Sequence, residues 1–192
     1  TDAFIMLGYS QNSASFIGDA ALGFSFPISV LLYFKAYMKM GNGEIVDSLG
    51  LGRKGLSAFT IGLGLLIFVI MMVISLGAGL LQNIINVPIN TNVDLVLAGA
   101  PLWFYVFAAI IEPINEEVLF RGFMVPRIGI VASSLIFGIL HATYDSTFAI
   151  EVIAAIVFGL LSGYVYRKTG SLYPSMIAHI LVNSIAIIAL IP

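Results

Sequence analysis

The sequence predicts an all-α, polytopic transmembrane helix bundle of about six spans, folded as a single integral membrane domain over residues 1–192. Three observations predict it. Of the 192 residues, 60% are hydrophobic and only 9% charged. Soluble domains carry roughly a quarter charged residues, so most of this surface must face lipid rather than water. The mean hydropathy is +1.07, and the apolar residues come in runs near the roughly 20 residues that cross a bilayer. Finally, the eight Lys and Arg residues all fall in alternate connections between those runs.

Composition also excludes functions. A net charge of −2 with eight basic residues in total leaves no basic surface for nucleic acid. The absence of cysteine removes disulfides, thiolate zinc sites and thiol nucleophiles.

In chain order, residues 1–20 mix Asp2, Gln11, Asn12 and Asp19 with small and apolar residues and read as a short helix or extracytoplasmic arm. The chain starts at Thr1 rather than Met, which leaves an upstream span open, and no basic stretch precedes residues 1–20 to make them a cleavable signal. Leu22 to Met38 is the first expected span, interrupted by Pro27 and ending at Lys35 and Lys39, which can snorkel to headgroups. Gly41 to Gly55 is a polar, glycine-rich loop in which Glu44 to Leu51 reads as a small amphipathic piece at the interface. Ser57 to Leu81 is a charge-free second span whose Gly62, Gly64, Gly77 and Gly79 would allow close helix contacts. Gln82 to Asp94, rich in Asn and carrying Pro88, reads as a loop.

Leu95 to Ile111 begins the third span. Pro113 falls where the helix is expected to bend or restart before running through Glu116 to Met124, with Pro126 closing it. Ile128 to Thr143, Phe148 to Tyr166 and Leu172 to Ile191 complete the six, joined by Tyr144 to Thr147 and by Arg167 to Ser171. Lys35, Lys39, Arg53, Lys54, Arg121, Arg127, Arg167 and Lys168 then all lie on one side, which the positive-inside rule makes cytoplasmic, with both ends of the sequence outside. No internal repeat of the kind found in inverted-repeat transporters is visible, which weighs against a proton-relay transporter.

Charged and titratable residues inside membrane spans are functional candidates. Glu116 and Glu117 end a long apolar run, and the only two histidines, His141 and His179, lie in later spans. Glu116 is 11 residues from Arg127, His141 is 14 from it, and His179 is 11 from Lys168. At 1.5 Å per residue these distances put all three roughly 16 to 21 Å from the cytoplasmic turns, so they can meet. Glu117 and Arg121 have the acid-first i,i+4 order of an ion pair along one helix, which leaves Glu116, about 100° away, free. His179 and Asn183 share a helix face, and Phe137 sits one turn before His141.

A carboxylate and an imidazole in a confined cavity suit activation of water, and a second histidine with an amide can donate to a forming oxyanion. That set describes peptide hydrolysis without a required cofactor. Glu116, His141 and His179 are also a two-His, one-carboxylate zinc set, although the chain lacks a His-Glu-x-x-His helix. Ser175, four residues before His179, has no third orienting group for a serine mechanism. Structural readings stand beside these: histidines as links between helices, Arg121 as a snorkelling anchor, Glu112 as an interfacial charge, and Asp145 and Glu151 as solvated groups.

Glu116-Glu117 with Arg121, Phe137 with His141, and His179 with Asn183 resemble, in order, the Glu-Glu-x-x-x-Arg, Phe-x-x-x-His and His-x-x-x-Asn motifs of the CPBP intramembrane proteases. That group includes CAAX prenyl endopeptidases and bacteriocin-processing or immunity (Abi) proteins. Pro113 and Phe120-Arg121-Gly122 also look like the family, and the likeness covers about residues 95–192, the expected catalytic core. The resemblance implies an endopeptidase in which Glu116 and His141 activate water, His179 and Asn183 stabilise the oxyanion, and Glu117 and Arg121 support the site. The family has been labelled metalloendopeptidase, while a water-activating glutamate needs no metal. Eukaryotic-type CAAX enzymes resemble Phe-x-x-x-His-x-x-His, and the position three after His141 is Tyr144, which favours a general prokaryotic member. The expected setting is a prokaryotic cytoplasmic membrane, the site opening to the cytoplasmic side, and the partners a peptide or protein substrate, lipidated or not, and membrane lipids. A non-catalytic bacteriocin-immunity or membrane scaffold protein, keeping the polar cluster as helix glue, is the alternative from another class.

Overall fold

The computed structural model describes residues 6, 11–84, 100–142 and 149–190, and these are helical with no strands among them. The long helices are α1 (Gln11–Leu32), extended by a π-helical turn over Tyr33–Tyr37, and α3 (Ala58–Ile84), with the short α2 (Asn42–Ser48) between them. Then come α4 (Leu102–Val106), a π segment Phe107–Ile111, α5 (Glu112–Glu117), a second π segment Val118–Met124, and α6 (Val125–His141). Helices α7 (Ala149–Thr169) and α8 (Tyr173–Leu190) complete the bundle. Four stretches are long and apolar enough to cross a membrane, namely Ser13–Tyr37, Ala58–Ile84, Leu102–His141 and Val152–Thr169, with the shorter apolar Tyr173–Ala189 beside them. The protein is a helical membrane bundle.

The 40-residue stretch Leu102–His141 is twice what a bilayer needs. It divides at Gly129, whose φ of 85° and ψ of 168° break the helix. The second arm then packs back on the first: the Ser133 hydroxyl donates to the Phe120 carbonyl at 2.9 Å, and the Phe120 and Phe137 rings meet edge to face at 5.0 Å. The stretch therefore forms two crossing arms, giving six segments as expected. The boundary differs. Pro126 does not close the third span, because a proline in the first turn of α6 sits where its missing N–H is tolerated. Only glycine readily adopts the backbone of residue 129, so the turn falls there.

Two further expectations need correction. Residues 11–20 are not a separate arm: α1 starts at Gln11, and Phe16 and Ala20 are buried against Phe104 and Phe107, so the first span begins about ten residues earlier than hydropathy alone suggested. Among the four glycines of α3, only Gly64 makes a close contact, where a Cβ would meet the Pro174 carbonyl oxygen at 2.9 Å; Gly62, Gly77 and Gly79 have nothing within 4 Å. At Pro113 the helix changes register as expected: a π turn, in which the Glu112 N–H bonds to the Phe107 carbonyl, gives way to α5 with the proline in its first turn. The expected loop over Gln82 to Asp94 lies largely outside the described residues, as do Tyr144 to Thr147 with Asp145, and the Glu151 side chain.

The basic end of the bundle is tied together by backbone. The Leu172 N–H bonds to the Gly50 carbonyl at 3.1 Å, the Ser171 hydroxyl to the Gly55 carbonyl and the Tyr173 hydroxyl to the Leu51 carbonyl, both at 2.8 Å. Gly50 has φ +75°, and a Cβ there would come within 2.4 Å of the Gly170 oxygen, so this approach requires glycine. As expected, the Glu44 to Leu51 stretch is a short amphipathic piece: its helical part lies within α2, and Ile45 and Leu49 are buried. Arg127 lies over the rings of Phe123, Tyr33 and Phe34. Seven of the eight basic residues keep to this end; Arg121 is the exception, buried inside the bundle because an acidic partner waits there. On the other flank, Leu65, Val69, Val73, Leu76 and Leu80 of α3 are exposed, as befits a helix facing lipid.

Gly129→Ala is expected to destabilise the protein by about 1–3 kcal/mol through backbone strain alone, since nothing lies within 4 Å of its would-be Cβ. Gly77→Ala, equally open but helical, should change stability by no more than about 1 kcal/mol in the favourable direction. Thermal unfolding in detergent micelles compares them; equal effects would contradict the hinge.

Candidate active site

The two π segments bracket α5, and this places Glu116 and Glu117 at the centre of the bundle. Such π segments occur frequently at functional sites. Glu117 is fully buried, and its Oε1 lies 2.9 Å from Arg121 Nη1, one turn on, as the i,i+4 spacing predicts. The contact is one of charge: its angle falls outside a hydrogen bond, and both terminal guanidinium nitrogens lack a hydrogen-bond partner among the described residues. They lie instead between two aromatic faces, with the guanidinium carbon 4.3 Å from the Phe137 ring centre and 4.9 Å from that of Phe158. Arg121 Nε donates to the Ser162 hydroxyl at 2.8 Å, and that hydroxyl donates to the Phe158 carbonyl at 2.6 Å. Arg121 is therefore no snorkelling anchor.

His179 on α8 stands between both glutamates. Its Nδ1 is 2.9 Å from Glu117 Oε1, and its Nε2 is 3.6 Å from Glu116 Oε2. A buried guanidinium demands a counter-charge, so Glu117 is the anion and Nδ1 carries the hydrogen. The other nitrogen then faces Glu116. Within the set of Arg121, Glu117, His179 and Glu116, one proton placed on either member of the Glu116–His179 pair leaves the net charge at zero, the state a low-dielectric interior favours. Glu116 is thus not free but engaged through His179.

His141, the last residue of α6, has its Nδ1 2.9 Å from the Phe137 carbonyl oxygen. A carbonyl only accepts, so Nδ1–H is the donor and Nε2 of the neutral ring is an acceptor. Phe137 packs on both imidazoles, with ring centres 4.3 Å from His141 and 5.8 Å from His179. Asn183 Nδ2 donates to the Ala108 carbonyl of the first π segment at 3.2 Å, which leaves the second N–H of the amide. His141, His179, Asn183 and Phe137 line one cavity of about 120 Å³, closed on its far wall by Met71 and Ser75 of α3 and by Ala154, Ala155 and Phe158 of α7. A larger cavity, about 190 Å³, lies at the basic end between Asp47, Lys54 and the glycine turns, away from every one of these groups.

The structure thus brings Glu116, Glu117, Arg121, His141, His179 and Asn183 together. Glu112, one turn before Glu116, is partly buried, near enough to Asp19 and Glu116 for their charges to interact. Two residues escaped the sequence reading. Ser162 anchors Arg121, and Asn115 is buried with its amide nitrogen unpartnered among the described residues. Rise-counting could have found the first, since Ser162 is six residues from Lys168 and Arg121 six from Arg127. As to zinc, Glu116, His141 and His179 do not gather into a group able to hold a metal ion, and no group of three His, Asp or Glu does among the described residues. His179 directs both of its nitrogens to carboxylates.

Fold and site together define a polytopic helical membrane protein with a buried carboxylate–histidine centre. Residues 98–185 match the model of the type II CAAX prenyl endopeptidase Rce1-like family. An 80-residue stretch is 34% identical to uncharacterized protein YpbD of Bacillus subtilis (strain 168), covering 42% of this chain and 42% of that protein. The alignment therefore spans less than half of the relative's length. No solved structure matches.

Removing one partner of a buried ion pair leaves a charge uncompensated. Glu117→Gln is expected to destabilise the protein by about 3–5 kcal/mol, and Glu116→Gln, whose contact with His179 is longer and which has no arginine partner, by less than that. Melting curves of both variants in the same detergent check this; the reverse order would contradict the assignment of Glu117 as the structural anion.

Proposed function

We propose that the protein is an intramembrane endopeptidase that hydrolyses peptide bonds of a peptide or protein substrate, either a CAAX-type prenylprotein or a bacteriocin- or leader-like peptide. The observation that carries the reading is the Glu116–His179 contact beside a cavity into which His141 and Asn183 also converge. The family match over residues 98–185 supports it independently.

In this reading a water in the cavity is oriented by His141 Nε2 and gives a proton to the Glu116 carboxylate as its oxygen attacks the substrate carbonyl. The proton already shared with Glu116 resides at that moment on His179, whose cationic ring and the second Asn183 N–H face the oxyanion. Collapse of the tetrahedral intermediate breaks the C–N bond, and Glu116 returns its proton to the leaving amine. The resulting carboxylic acid loses the second water proton to the released amine, so the products are a carboxylate and an ammonium. No step runs through a metal. The setting is a prokaryotic cytoplasmic membrane with the basic end inside, the substrate arriving from the cytoplasmic side or laterally out of the bilayer.

The test is cleavage of quenched fluorescent peptides, prenylated C-terminal ones included, by purified wild type and Glu116→Gln, with and without chelator. Turnover should fall about 10²–10⁴-fold in the variant and survive chelation. If both proteins stay folded and equally inert across the set, a binding or immunity role replaces the peptidase. Loss with chelator alone would restore zinc.

A further inference from the structure

Ser162 is buried in α7, a helix that carries none of the three motifs, yet its hydroxyl is fully engaged. It accepts from Arg121 Nε at 2.8 Å while donating to the Phe158 carbonyl at 2.6 Å, a bond that fixes the direction of its lone pairs. Arg121 has no other hydrogen bond among the described residues: its two terminal nitrogens are unpartnered and lie over Phe137 and Phe158. The position of the guanidinium along the helix axis is therefore set by Ser162. That position sets Glu117 Oε1, which is shared by Arg121 and His179 Nδ1 at 2.9 Å each.

We propose that Ser162 is a positioning residue of the active site: through Arg121 and Glu117 it holds the His179 hydrogen on Nδ1 and so presents Nε2 to Glu116. Only the consequence for turnover rests on the peptidase reading; the tautomer does not. Take the hydroxyl away, and Arg121 Nε loses its acceptor. The guanidinium can slide between the aromatic faces, since cation–π attraction is broad in angle where a hydrogen bond is not. Glu117 follows its counter-ion. The Nδ1 contact then lengthens, and the imidazole is free to place its hydrogen on Nε2 instead, where it can donate to Glu116 but no longer accept from it. Proton exchange within the pair is lost while the cavity, which His179 lines but Ser162, Arg121 and Glu117 do not, keeps its shape.

Because the chain has two histidines, imidazole ¹⁵N spectra of histidine-labelled protein in lipid nanodiscs resolve the question residue by residue, with His141→Gln assigning the pair. The wild type should show His179 with hydrogen on Nδ1. Ser162→Ala should shift His179 towards a mixture or the Nε2–H form, with the His141 signals unmoved, and Ser162→Thr, which restores a hydroxyl, should return it. In the cleavage assay, kcat of Ser162→Ala should fall roughly 10- to 100-fold at unchanged KM, as for a misplacement remote from the chemistry. A wild-type His179 in the Nε2–H form overturns the proposal outright, even should Ser162→Ala fail to fold, as does a folded Ser162→Ala whose His179 spectrum and kcat match wild type. If no peptide is cleaved by wild type, the peptidase reading fails while the spectra still decide the positioning role.

Discussion

The fold turns on one interaction, the ion pair of Glu117 and Arg121 in the interior of a lipid-embedded bundle. Neither charge could stay buried alone, since an uncompensated ion in a medium of low dielectric carries a penalty of several kcal/mol after relaxation. Each therefore dictates where the other's surroundings go. Phe137 and Phe158 cover the guanidinium faces, Ser162 receives its Nε, and His179 shares the carboxylate oxygen. Four helical segments are pinned at one point by groups that have no better place to be. Glu116, the neighbour of this anion in sequence, then meets the opposite edge of the same imidazole.

Close backbone approach makes that convergence possible. A Cβ on Gly138 would come within 2.3 Å of Ile156, and one on Gly159 within 2.8 Å of Ser134, so α6 and α7 touch through glycines, as small-residue seams do in membranes. This seam puts Phe137 and His141 beside Phe158 and Ser162. On the other side, Gly64 lets α3 approach α8 at Pro174 and Ile177, supporting the helix that carries His179 and Asn183. The hinge at Gly129 has the complementary task, turning one over-long helix into two arms so that Glu116 and His141, 25 residues apart, lie at similar depth.

Much of this was legible in the residues. Hydropathy and the one-sided distribution of lysine and arginine gave the bundle and its approximate spans, because the cost of exposing polar backbone to lipid leaves helices as the only solution for chains of this kind. Counting rise from the basic turns brought Glu116, His141 and His179 to one depth, and i,i+4 spacing paired Glu117 with Arg121. What stayed hidden was lateral and conformational. Spacing says that Glu116 and His179 can meet, but not that His179 would bridge two adjacent glutamates, which depends on the rotation of α8 about its axis. Hydropathy and proline position make Pro126 the terminator of the third span, whereas Gly129 ends it, because a first-turn proline fits a helix and φ +85° suits glycine. Ser162 gave a faint signal, as one hydroxyl in an apolar helix more often bonds to its own backbone.

The most direct test of the central claim is a double-mutant cycle on the buried pair, with unfolding free energies measured for wild type, Glu117→Gln, Arg121→Met and the combination. If the two charges exist for each other, the double variant should be distinctly more stable than the sum of the single losses implies, with a coupling on the order of 2–3 kcal/mol. Losses that simply add would mean that Glu117 and Arg121 are held by separate partners, and the site would then have to be organised around something else.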